Sequence, residues 1–128
     1  MRTSSNQKSL CYTFYFINQI KSQWLKLAYD YSHFIHRDIG FEDSLNTMIP
    51  HTRFIHVKDT IIKDGKPRFV IPGASGQIDY TKLIRLSAKL GYRGDINVEI
   101  SGQVWSQKNY NPIATAADSY KNLASAFK

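Results

Sequence analysis

The chain is expected to fold as an α/β protein with parallel strands inside and helices outside, on three observations. Short segments rich in β-branched and aromatic residues alternate with amphipathic helical patterns, strand then helix, three times in succession. Each strand-like segment closes on polar side chains: Asp30 in the first, His56 and Lys58 in the second, Glu99 in the third. No internal repeat or linker interrupts the order, and 128 residues suit one domain. Consecutive strand–helix units imply right-handed crossovers, which carry the helices to the outside of the sheet.

The elements follow in order. Residues 1–9 are polar and are expected to fray. Within residues 10–24, Phe14, Ile17, Ile20 and Trp24 recur at helical spacing, while residues 12–16 have strand composition; a helix is the reading adopted. Residues 1–19 are set apart as a leader containing part of that helix, and residues 20–128 as the domain. Residues 25–30 alternate as a strand ending in Asp30, and residues 31–40 form a polar-aromatic loop with His33, His36, Arg37 and Asp38. Phe41, Leu45, Met48 and Ile49 mark one face of a short helix, stopped by Pro50.

The second strand is expected over residues 53–58. Residues 59–77 hold Gly65, Pro67, Pro72, Gly73 and Gly76, and read as a long functional loop. Asp79 caps a helix with Tyr80, Leu83, Ile84 and Leu90 on its apolar face, ended by Gly91. Residues 95–100 are the third strand, and residues 102–111 a loop with Trp105 and Tyr110, which either wall a pocket or pack. Pro112 opens a last helix whose stripe is Ile113, Ala116, Ala117, Tyr120, Leu123, Ala124 and Phe127.

Composition excludes several classes. No apolar run approaches the roughly 20 residues of a membrane span, and the first residues lack a signal-peptide pattern. Cys11 is the one cysteine, so an intrachain disulfide or a cysteine-based zinc site is excluded and a cytoplasmic setting is the default. The net charge of +7 invites a nucleic-acid partner. Its distribution argues otherwise: Arg2, Lys8, Lys21 and Lys26 precede the first acidic residue, Asp30, and no basic run is interleaved with stacking aromatics.

In a parallel α/β sheet, ligands bind beyond the carboxyl ends of the strands. Asp30, His56 and Glu99 are therefore expected to converge on one rim. Two carboxylates and an imidazole suit a divalent cation, Mn, Mg, Co or Zn. His33, three residues past Asp30, would face the same pocket. His36 and His51 fall in loops and read as solvated. Gly73 and Gly76 either cradle a phosphate or permit the turn before Asp79, the second being favoured.

Four motifs carry a resemblance: residues 29–34 (YDYSHF), residues 54–59 (FIHVKD), residues 72–80 (PGASGQIDY) and residues 91–99 (GYRGDINVE). In this order and spacing the chain resembles the C-terminal part of the xylose-isomerase-like TIM barrels. These form the sugar phosphate isomerase/epimerase superfamily, which also includes endonuclease IV. The resemblance implies a partial (β/α)8 barrel, about strands six to eight with their helices. It further implies that Asp30, His56 and Glu99 bind one divalent metal, and that His33 and Arg68 contact a small sugar or sugar phosphate. Lys58 and Asp59 belong to the motif in either a supporting or a direct role. Glu99 would also act as an acid/base in metal-assisted proton transfer through an enediolate.

The chain departs from that pattern in two ways. Three strands cannot close a barrel, which leaves strand edges open to self-association, and the family's second carboxylate, on strand five, has no counterpart before Asp30. A truncated or partner-completed isomerase/epimerase-like protein, weakly active or inactive alone, is the expectation. The alternatives are a non-catalytic remnant or interaction module and an endonuclease IV-like nuclease. That branch places an Asp-x-His pair after strand seven, and residues 60–78 contain no His.

Overall fold

The computed structural model describes the backbone of residues 5–128 and the side chains of residues 12–128. The expectation for residues 1–4 lies outside the described residues. Helix α1 (Ser5–Ile20) already includes residues 5–9, which had been expected to fray, and it stops four residues short of Trp24. Lys21 takes a left-handed backbone, φ 48°, and breaks the helix there. Trp24 is consequently outside it and 85% exposed.

Strand β1 (Leu27–Tyr29) leads through a short 3-10 turn to helix α2 (Phe41–Met48). Glu42 and Asp43 in the first turn of α2 complement its dipole, and Pro50 stands in the 3-10 turn that follows its end. Strand β2 (Thr52–Val57) comes next. The sheet is completed by β5 (Asp95–Val98), and all pairings are parallel in the order β1-β2-β5. The Tyr92 hydroxyl ties the start of β5 to β2: it donates to the Asp95 carbonyl at 2.6 Å, with the Arg53 carbonyl at 3.2 Å.

Alternation along the strands sorts the sheet into two faces. Tyr29, Ile55 and Val57 are fully buried and join Leu45, Met48, Leu83 and Leu123 in the core beneath the helices. Phe54 and His56 lie on the opposite face, partly exposed, their rings edge-to-face at 4.8 Å. The sheet is open among the described residues: β1 and β5 each have one unpaired edge, and no barrel closes.

The loop expected over residues 59–77 contains a hairpin instead. Strand β3 (Asp59–Lys63) pairs antiparallel with β4 (Lys66–Val70). Asp64 and Gly65 turn between them with φ of 51° and 70°, a two-residue turn whose twist matches the strands. Asp-Gly between apolar runs was a legible hairpin signal; the density of glycine and proline around it favoured a loop. Pro67 is tolerated because β4 is an edge strand.

Helix α3 (Tyr80–Lys89) is capped as expected, the Asp79 carboxylate accepting the Lys82 amide at 2.8 Å. A four-residue helix, α4 (Gly102–Trp105), interrupts the loop expected at 102–111. Helix α5 (Pro112–Leu123) begins at Pro112 with Asn111 as its cap, yet its buried face is not the apolar stripe. Thr115, Ser119 and Leu123 are buried, whereas Ile113 is 81% and Tyr120 75% exposed. The small side chains allow close approach, and Ser119 satisfies its hydroxyl on the Thr115 carbonyl at 2.8 Å. Gly73 makes the contact possible, since a Cβ there would fall 2.7 Å from the Cβ of Asn122. The outward stripe lines a groove of about 660 Å³ with Val98, Ile100 and Tyr110.

Candidate metal centre

The carboxyl ends of β1, β2 and β5 meet on one side of the sheet. Asp30 is the first residue past β1 and caps the 3-10 turn Tyr31–His33. Its Oδ1 accepts the Ser32 amide at 2.9 Å and the Ser32 hydroxyl at 2.6 Å. Those two bonds hold the carboxylate so that Oδ2 is the oxygen left over, and it is buried without a hydrogen-bond donor. Buried polar atoms are seldom left so, and such an exception calls for a missing partner.

His56 projects from β2, and Glu99 stands one residue past β5, its amide donating to the Val57 carbonyl at 3.0 Å. The Nδ1 of His56 lies 2.7 Å from Oε2 of Glu99. Ligand atoms of Asp30, His56 and Glu99 all fall within 4.8 Å of one another. This is the convergence expected from the three strand ends. A set of two carboxylates and an imidazole, one oxygen buried and unbonded, fits a divalent cation.

Lys58 occupies the middle of the group. Its side chain is 6% exposed, and Nζ lies 3.1 Å from Oδ2 of Asp30, 3.0 Å from Oε1 of Glu99 and 3.0 Å from Nε2 of His33. The contact to Asp30 is an ion pair off the line of a hydrogen bond, which is why Oδ2 stays unbonded. Burial raises the affinity of Glu99 for a proton, but the hydrogen bond and charge of Lys58, then His56 and His33, outweigh it. The carboxyl is held below its ordinary range.

His33 reaches the cluster from the 3-10 turn, with Nε2 3.4 Å from Oδ2 of Asp30 and the side chain 46% exposed. Arg68 does not join this group. It is exposed on β4 and lines a separate hollow with Gln103 and Gln107. The hairpin residue at the cluster is its neighbour Phe69, whose ring lies 4.6 Å from the Lys58 ammonium and 5.4 Å from the His33 ring. Alternation along β4 puts these two side chains on opposite faces, and the hairpin had to be recognised to see it.

Two further histidines are less solvated than expected. His51 packs edge-on against Phe14 at 5.3 Å. The Nε2 of His36 is buried without a partner. Asp59, next to Lys58, faces away from the cluster and is fully buried. It accepts the Thr60 amide at 2.8 Å and the Ser75 hydroxyl at 2.6 Å on Oδ1, and the Ser75 amide at 2.8 Å on Oδ2.

Residues 7–125 match a family model described as xylose isomerase-like TIM barrel. No curated protein matches the chain.

Proposed function

The chain belongs to the xylose isomerase-like TIM barrel family, and from that membership we propose that it is a cytoplasmic sugar or sugar-phosphate isomerase/epimerase-like protein carrying one divalent-metal centre. The observation that carries this reading is the approach of Asp30, His56 and Glu99 to within 4.8 Å from three consecutive strand–helix units. Those three residues would hold the metal. A divalent cation there would supply positive charge opposite the oxygens of a substrate carbonyl and its neighbouring hydroxyl. Glu99 is suited to move a proton at the adjacent carbon, since its lowered pKa keeps it ionised as a base near neutral pH. His33, half-exposed at the rim, is suited to bond a substrate hydroxyl. Phe69 covers Lys58 and His33 on the hairpin side and shields the site from water.

Both carboxylates of the cluster are committed as ligands. Proton transfer between two carbons needs a second acid/base group, so the reading expects metal binding with little turnover by this chain alone. The test is Mn²⁺ titration of the purified chain followed by paramagnetic resonance, with and without ketose phosphates. One Mn²⁺ per chain is expected, lost in Asp30→Asn and Glu99→Gln, with a spectrum that shifts on adding sugar. Absence of bound Mn²⁺ at millimolar concentration would overturn the reading. It would leave the alternative of an interaction module, which the exposed groove of Val98, Ile100, Tyr110 and Tyr120 favours.

A further inference from the structure

We propose that Lys58 is an internal counter-cation of the metal centre, seated among the ligand residues when no metal is bound and displaced when a metal enters. The inference rests on the metal-centre reading above and deepens it. Every ligand residue already has an internal partner in the chain. Asp30 commits Oδ1 to Ser32, and its remaining oxygen, Oδ2, faces the Lys58 ammonium at 3.1 Å. Glu99 divides its oxygens between Lys58 at 3.0 Å and His56 at 2.7 Å. A divalent cation bound to Oδ2 of Asp30 and to Glu99 must use the lone pairs that Lys58 now faces. Two cations drawn to the same oxygens repel strongly where burial limits screening by water.

The ammonium has the properties the role requires. It is a compact point charge on a flexible stem, and its three donors turn without a fixed plane. It is nearly buried, so it replaces the charge of a metal where water would neutralise two carboxylates poorly. The half-exposed His33 and the ring of Phe69 lie beside it, so the stem has neighbours to move against on the open side of the cluster. Lysine at this position thereby keeps the metal-free site folded while weakening the metal's hold on it.

The test compares Mn²⁺ affinity of the full chain with that of Lys58→Met and Lys58→Gln, by calorimetry and paramagnetic resonance. Both variants are expected to bind Mn²⁺ at least tenfold tighter than the parent chain. Their thermal midpoints are expected to rise more on adding Mn²⁺ than the parent's does. Equal or weaker binding by the variants, with the parent still binding Mn²⁺, overturns this inference and leaves the metal centre standing. If neither parent nor variants bind, both readings fail together. Should the variants not fold, the parent decides alone: acetic anhydride labelling of Lys58, read by mass spectrometry against the other lysines, is expected to rise severalfold on adding Mn²⁺. Unchanged or slower labelling in Mn²⁺-loaded chain overturns the displacement.

Discussion

Lys58 and Asp59 are adjacent and oppositely charged, yet they do not serve one another. Strand geometry sends successive side chains to opposite faces, so Lys58 enters the cluster while Asp59 turns into the protein beneath Ser75. Asp59 collects three donors and no cation, which makes it the anchor of the segment before α3. Asp59→Ala would leave the Thr60 amide and both Ser75 donors without an acceptor, at a cost of about 1–3 kcal/mol for each buried group left unsatisfied. Urea unfolding should show a loss in that range or above it. A midpoint equal to the parent's would remove Asp59 from this role. The motif was readable as residue types; the 16-residue reach from Asp59 to Ser75 was not, because hydrogen bonds across a loop leave no periodic trace.

Among the elements, the β3–β4 hairpin decides the most for the site. It places Phe69 over Lys58 and bonds its own backbone to α4, the Phe69 amide donating to Gln103 at 2.9 Å. Its turn needs a left-handed residue at Gly65, φ 70°, where a Cβ would meet nothing within 4 Å. Gly65→Ala therefore tests conformation without a clash, and about 1 kcal/mol of hairpin stability should be lost. Hydrogen exchange at the Ile61 and Arg68 amides should accelerate accordingly, while Gly65→Asn stays near the parent. Unchanged exchange in Gly65→Ala would contradict the turn assignment. The helices show the converse lesson. The capped start of α3 at Asp79 is local chemistry and was legible, but α5 buries Thr115 and Ser119 in place of its apolar stripe. Which face a helix buries depends on what opposes it.

At the scale of the whole molecule, two phenols bind the helical layer to the sheet. The Tyr29 hydroxyl donates to Ser44 Oγ at 2.8 Å, and Ser44 passes its own proton to the Phe41 carbonyl at 2.8 Å. The Tyr80 hydroxyl donates to the Lys58 carbonyl at 3.0 Å. Burial, the largest cause, raises both phenols well above their usual value; nearby Tyr31 and Asp30 add for Tyr29, Asp59 and Asp30 for Tyr80. A pKa raised on folding contributes stability that is fully present below the unfolded value, about 10 for tyrosine. It is lost as pH rises from there through the folded value. Alkaline titration should thus ionise Tyr29 and Tyr80 only together with cooperative unfolding, seen as coincident changes in phenolate absorbance and circular dichroism. Reversible ionisation of all eight tyrosines near pH 10 with the fold intact would refute this. The same scale holds the open sheet: β1 and β5 end in free edges, and the groove beside Val98 and Tyr120 is uncovered.

Residue types at the strand ends, the order of strands and helices, and the family were written in the linear chain, because periodicity, caps and motif spacing are local. That Asp30, His56 and Glu99 approach one another followed from parallel strands alone, before any distance was known. The ammonium of Lys58 among them, Phe69 rather than Arg68 at the cluster, and the polar underside of α5 came from packing in three dimensions. Each of these depends on which surfaces face each other across the fold, and residues 25 to 41 positions apart along the chain carry no mark of that meeting.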